Sequence, residues 1–96
     1  MFVLITYDVN TETREGCKRL SSVAKECKNY GHRVQNSVFE CVLTEVQVIQ
    51  LRDRISAIID KKTDSVRFYF MGKSWKQHVE HIGVDRGLDV TETLIV

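Results

Sequence analysis

A chain of 96 residues, 43% of them hydrophobic, suffices for one independent core and is short for two domains. A formal net charge of +1 gives no global attraction for a polyanion. Nothing approaches the roughly 18 consecutive apolar residues of a membrane span, and the start Met1-Phe2-Val3-Leu4 lacks the basic flank and cleavage site of a signal peptide, which predicts a cytoplasmic protein with no membrane partner.

The first residues, Met1 to Val9, are apolar, β-branched and aromatic, and the polar stretch Asn10-Thr11-Glu12-Thr13 bounds them. That composition predicts a buried strand whose far end carries one carboxylate, Asp8. Next, Cys17, Leu20, Val23, Ala24, Cys27 and Tyr30 recur at three- and four-residue intervals. The spacing predicts a helix from about Thr13 to Tyr30, stopped by Gly31. Arg14, Lys18, Lys25 and Lys28 fall together on its opposite side. Residues 32 to 43 have extended-chain composition broken by Gln35-Asn36-Ser37, which predicts two short strands joined by a bend. Thr44 with Gln47 is a capping-box pattern, and Val48, Leu51, Ile55, Ile58 and Ile59 outline a second helix ending near Asp60. Ser65 to Met71 reads as a strand, and a last short strand is expected over His78 to Ile82. No proline, linker or repeat suggests a second domain, so residues 1–96 form one unit, with a tail at 84–96.

Strand, helix, strand, strand, helix, strand is the ferredoxin-like βαββαβ order, an α+β fold whose antiparallel sheet carries both helices on one face. The alternation of side chains then leaves an apolar second face. Phe2, Leu4 and Thr6 oppose Val3, Ile5 and Tyr7, and Tyr69 and Met71 oppose Val66, Phe68 and Phe70. A second apolar face predicts a homodimer packed sheet on sheet. The terminal Leu94-Ile95-Val96 would pair with the partner subunit.

Asp8 alone, after a strand, is more often a turn residue than a catalytic one. A dyad near the ends of the first strands changes this, because two Asp8 carboxylates are a plausible minimum for holding Mg²⁺ or Mn²⁺ against a phosphodiester. The spacing Asp8, Asn10, Glu12 begins like a calcium loop, but no glycine follows at the sixth position and Arg19 stands where the bidentate glutamate belongs. The calcium reading fails. His78 and His81 form an H-x-x-H pair better read as structural than as zinc ligands. Cys17, Cys27 and Cys41 are odd in number and lack a C-x-x-C spacing, so they read as reduced, mostly buried thiols. Between Arg14 and Arg33, the bases Arg14, Lys18, Arg19, Lys25, Lys28 and Arg33 face only Glu15 and Glu26. Such a stripe is usually a solvated face, but this imbalance favours phosphate contact. Trp75 between Lys73 and Lys76 fits base stacking and a solvated loop equally well.

The run Leu4-Ile-Thr-Tyr-Asp8-Val, the Lys18-Arg19-Leu20 helix, the segment Asn29 to Cys41 and Val79-Glu-His-Ile-Gly83 resemble the CRISPR-associated Cas2 family over essentially the whole chain. Arg33-Val-Gln-Asn-Ser37-Val-Phe39-Glu is long and specific, and looks most like the subtype I-C branch. The resemblance implies a ferredoxin-like homodimer whose last strand and tail cross to the partner. It implies Asp8 from both subunits as metal ligand and catalytic acid, and places Tyr7, Arg19, Arg33, Ser37 and Phe39 near the site or the nucleic acid. It further implies a Mg²⁺-dependent endonuclease acting on single-stranded RNA or double-stranded DNA, and an adaptor bridging two dimers of the CRISPR integrase during spacer capture. Of these, the rigid basic dimer suits the adaptor role better than one carboxylate per subunit suits an efficient nuclease. A toxin-type ribonuclease of the same fold is a third reading.

Overall fold

The computed structural model describes residues 1–71 and 78–84. Strand β1, Phe2–Asp8, leads into helix α1, Arg14–Tyr30, and then into the hairpin strands β2, Gly31–Gln35, and β3, Val38–Val42. Helix α2, Glu45–Ile58, follows, then β4, Ser65–Met71, and β5, His78–Gly83. The strands form an antiparallel sheet in the order β2-β3-β1-β4-β5, with β1 at its centre. This is the expected α+β architecture with one further edge strand.

Both helices start where their caps require. The Thr13 hydroxyl accepts the Gly16 N–H at 3.0 Å, and Thr44 and Gln47 exchange side-chain bonds with each other's backbone N–H groups. Each cap satisfies donors that the first helical turn leaves unpaired. Helix α1 ends at Gly31 because of a close approach, not a left-handed turn: a Cβ there would stand 2.3 Å from Cys41 Sγ. The hairpin turns at Asn36-Ser37, with a register shift between Arg33 and Gln35, as the polar break predicts.

One face of the sheet carries the core. Val3, Ile5, Tyr7, Phe39, Cys41, Val66, Phe68 and Phe70 are buried against Val23 and Cys27 of α1 and Val48, Leu51 and Ile55 of α2. The helices also meet through an Arg54–Glu26 ion pair at 3.5 Å. On the other face Phe2 and Val42 are exposed, while Leu4, Thr6, Arg67, Tyr69 and Met71 are half-buried. The expected two-sided apolarity is therefore real, and no element described covers the second side.

Two expectations change. Cys17 is exposed rather than part of the buried stripe, because Gly16 takes the inward position. Its missing side chain lets α1 seat under the Asn10 carbonyl, where a Cβ would stand 1.9 Å from the oxygen. The last strand pairs with β4 of its own chain, in the register Ser65↔Gly83 to Phe70↔His78. The tail expected to pair with a partner, beyond Val84, and the Lys73-Trp75-Lys76 cluster lie outside the described residues.

Candidate functional site

Asp8 is the last residue of the central strand and is exposed. Alternation puts it with Phe2, Leu4 and Thr6 on the face away from the helices, opposite Ser65 of β4. Its neighbour Tyr7 points the other way, into the core.

Around Tyr7 the structure gathers three other residues that the sequence resemblance names. The Tyr7 ring stacks on Phe39 with centroids 6.2 Å apart, and the Arg33 guanidinium lies 5.2 Å from the Phe39 ring centre. The Tyr7 hydroxyl donates to the Asn36 carbonyl at 3.2 Å, and the Tyr7 N–H donates to the Ser37 carbonyl at 3.1 Å. Burial raises the Tyr7 phenol above its ordinary pKa, despite the Arg33 guanidinium beside it. This cluster lies on the opposite side of the sheet from the Asp8 carboxylate. The Tyr7 and Phe39 rings therefore meet Asp8 only through the strand backbone.

The basic residues divide. Arg14, Lys18, Lys25 and Lys28 are exposed along α1, and Arg33 is exposed on the edge strand β2. Arg19 is different, because its Nε donates to Asp64 Oδ2 at 2.8 Å. Its guanidinium is committed within the protein.

Asp64 is the residue that sequence reasoning passed over. Its side chain is 0% exposed and accepts from four groups. Oδ1 takes the Asn10 N–H at 2.9 Å and the Thr63 hydroxyl at 3.1 Å, and Oδ2 takes the Asp60 N–H at 2.9 Å beside Arg19. Burial pushes this carboxyl up, but the Arg19 guanidinium and the Asp60 and Asn10 N–H groups outweigh it and hold the carboxyl below the usual carboxylate range. Its natural partner, Arg19, is 45 residues away in sequence, and a lone acid in Lys-Lys-Thr-Asp-Ser reads as a surface turn. No local signal marks it.

His78 and His81 occupy extended backbone in β5, opposite Phe70 and Arg67. The His81 ring Nε2 lies 2.9 Å from the Val84 carbonyl and 3.4 Å from the Ser65 hydroxyl, which supports a structural role. Among the described residues no group of three or more His, Cys, Asp or Glu could hold a metal ion, and no helix is long and apolar enough to cross a membrane.

Residues 1–79 match the family model for CRISPR associated protein Cas2. The chain belongs to the Cas2 family. A CRISPR-associated endoribonuclease Cas2 from Chlorobaculum tepidum is 51% identical over 96 residues, covering 100% of both chains. A CRISPR-associated endonuclease Cas2 from Halalkalibacterium halodurans is 50% identical over 95 residues, 99% of each. Among solved structures, Streptococcus pyogenes Cas2 superposes with a TM-score of 0.71 at 60% identity, covering 78% of this chain and 90% of that one. The exposed acid that ends β1, Asp8, is the one that the sequence singles out.

Proposed function

We propose that this Cas2-family chain works as a homodimer that binds duplex nucleic acid, bridges integrase dimers during spacer acquisition, and hydrolyses phosphodiesters at a metal held by two Asp8 side chains. One observation carries the reading: the exposed Asp8 ends the central strand on the sheet face that bears Phe2, Leu4, Tyr69 and Met71 and that no described helix covers. A second copy laid on that face buries the apolar residues and brings Asp8 toward its mate. The relatives' names, endoribonuclease and endonuclease, favour hydrolysis of nucleic acid, and the Arg33 to Glu40 run favours the subtype I-C branch.

The donor chemistry suits Mg²⁺ or Mn²⁺, whose ligands are carboxylate and water oxygens. Among the described residues one chain offers a single exposed carboxylate at this strand end, since Asp64 is buried and fully bonded, so in this reading the second donor comes from the second copy. A divalent ion held by the two Asp8 carboxylates would supply Lewis acidity toward a phosphodiester. The chain's residues do the rest. Asp8 orients toward the phosphate, the Tyr7–Phe39–Arg33 cluster stiffens the strand beneath it, and Arg14, Lys18, Lys25 and Lys28 contact phosphates along a duplex. Arg33 at the sheet edge extends that basic track, while Arg19 serves Asp64 instead.

The test pairs two assays on wild-type and Asp8→Ala protein: Mg²⁺-dependent cleavage of labelled RNA and duplex DNA, and spacer acquisition with the integrase. Cleavage is expected to fall by at least about a hundredfold in the variant, and full cleavage by Asp8→Ala protein would sink the metal site. Acquisition that persists without cleavage makes the scaffold the physiological role. Replacing Lys18 and Lys25 with glutamate should lower duplex affinity and flatten its salt dependence, since each lost phosphate contact removes about 0.9 from the slope on B-DNA.

A further inference from the structure

The loop that follows Asp8 is held from two sides within two residues of the acid. The Asn10 N–H donates to Asp64 Oδ1 at 2.9 Å, and the Asn10 carbonyl sits against Gly16 so closely that a Cβ there would stand 1.9 Å away. The Asn10 side chain adds a local turn by accepting the Glu12 N–H at 2.9 Å.

Asp64 is also next to Ser65, the register partner of Asp8 across β1 and β4. Its main chain secures the far side of the same sheet end. The Asp64 N–H donates to the Asp60 carbonyl at 2.8 Å, and the Asp64 carbonyl accepts the Val84 N–H at 2.8 Å. That carbonyl passes so near Gly83, which has φ +102, that a Cβ on Gly83 would stand 2.0 Å from it. One residue thus joins the exits of β1 and β5, the entry to β4 and, through Arg19, the first turns of α1.

A carboxylate offers about four acceptor sites, and here the Asn10, Thr63, Asp60 and Arg19 donors use them. The group is therefore fixed in orientation, with Arg19 setting its tilt through a guanidinium that cannot lose its proton. Burying an ion at such cost is unnecessary for closing a surface loop, which a neutral cap could do.

We propose that Asp64, oriented by Arg19, is a positioning residue for the Asp8 site: it fixes where Asp8 leaves the sheet by anchoring Asn10 on one side and Ser65 on the other. Groups that hydrogen-bond a metal ligand directly are worth about 10- to 100-fold in metal affinity or activity, and Asp64, which acts one step further out through the backbone, belongs at the low end of that range. The inference rests on Asp8 as the metal-holding acid, and its test separates the two.

Full-length Asp64→Asn protein, which keeps the shape of the side chain, and Arg19→Lys protein, which keeps the charge but loses the fork, are compared with wild type and Asp8→Ala. Free Mn²⁺ is titrated by electron paramagnetic resonance, cleavage is resolved into kcat and KM, and circular dichroism checks that each variant is folded. Mn²⁺ affinity is expected to fall about tenfold in Asp64→Asn, with kcat falling in step and KM for nucleic acid unchanged, because the exposed bases of α1 are untouched. Arg19→Lys should show the same split to a smaller degree, and carries the test if Asp64→Asn does not fold. Folded variants with wild-type Mn²⁺ affinity and kcat overturn the positioning role while Asp8→Ala still loses both. Wild-type Mn²⁺ binding by Asp8→Ala overturns the site reading itself, and the positioning role with it.

Discussion

Cys41 and Val42 are adjacent in β3, yet the first is 1% exposed and the second 76%. The same step separates Ile5 from Thr6 and Phe68 from Tyr69 across the sheet. The helix-covered face has the contacts of an ordinary core, with Phe39 and Phe68 fully enclosed. The open face has nearly as many apolar side chains but no covering helix among the described residues, and Asp8, Thr6, Arg67 and Glu40 lie among them. Hydrophobicity alone does not distinguish the two faces. What differs is who supplies the cover: helices of the same chain for one, and in our reading a second copy for the other. On this reading, stability and assembly are written on alternate residues of the same strands.

Substitutions on the two faces should separate these roles. Phe68→Ala empties the middle of the helix-covered core and should cost about 4 kcal/mol of folding stability, read as a shift of the urea midpoint. A loss below about 1 kcal/mol would mean that the helices do not enclose this ring. Leu4→Glu, on the open face of the same sheet, should leave the midpoint of the isolated chain within about 0.5 kcal/mol. It should weaken self-association on the order of a hundredfold, because a buried unpaired charge replaces an apolar contact. Sedimentation equilibrium of the two proteins decides this. A Leu4→Glu chain that still sediments as a dimer would remove the open sheet face from the assembly.

Much of this division can be read in the sequence because strands and helices impose different periods. Ser65 to Met71 alternates so regularly that its boundaries match β4 residue for residue. The Thr44–Gln47 box marks the start of α2 because both bonds are local. Local signals fail where a contact joins distant segments. Cys17 fits the helical spacing as well as Gly16 does, and only the Asn10 carbonyl above Gly16 decides which turns inward. Asp64 is the sharper case, since its meaning comes from Asn10 and Arg19, 54 and 45 residues away. Asp8 stands out as a candidate because it ends an apolar run, whereas Asp64, which bonds the loop after it, carries no such local mark.

The thiols give the smallest and most direct reading of inside against outside. Burial pushes Cys27 up to about 12 and Cys41 up to about 11, whereas Cys17 is exposed at the start of α1. Only the thiolate attacks a disulfide reagent, so at neutral pH Cys41 should react on the order of a hundredfold, and Cys27 on the order of a thousandfold, more slowly than an ordinary exposed thiol, even before access is considered. With an aromatic disulfide, native protein should release one equivalent quickly, and denaturant should release the other two. Leu4→Glu should leave that pattern unchanged, because Cys41 faces the helices and not the open side of the sheet. Phe68→Ala should speed the slow pair, because local opening of the helix-covered side is the route by which solvent reaches them. Acceleration by Leu4→Glu instead would mean that the open face, through its cover, also protects the core, and that the two sides of the sheet are coupled rather than separate.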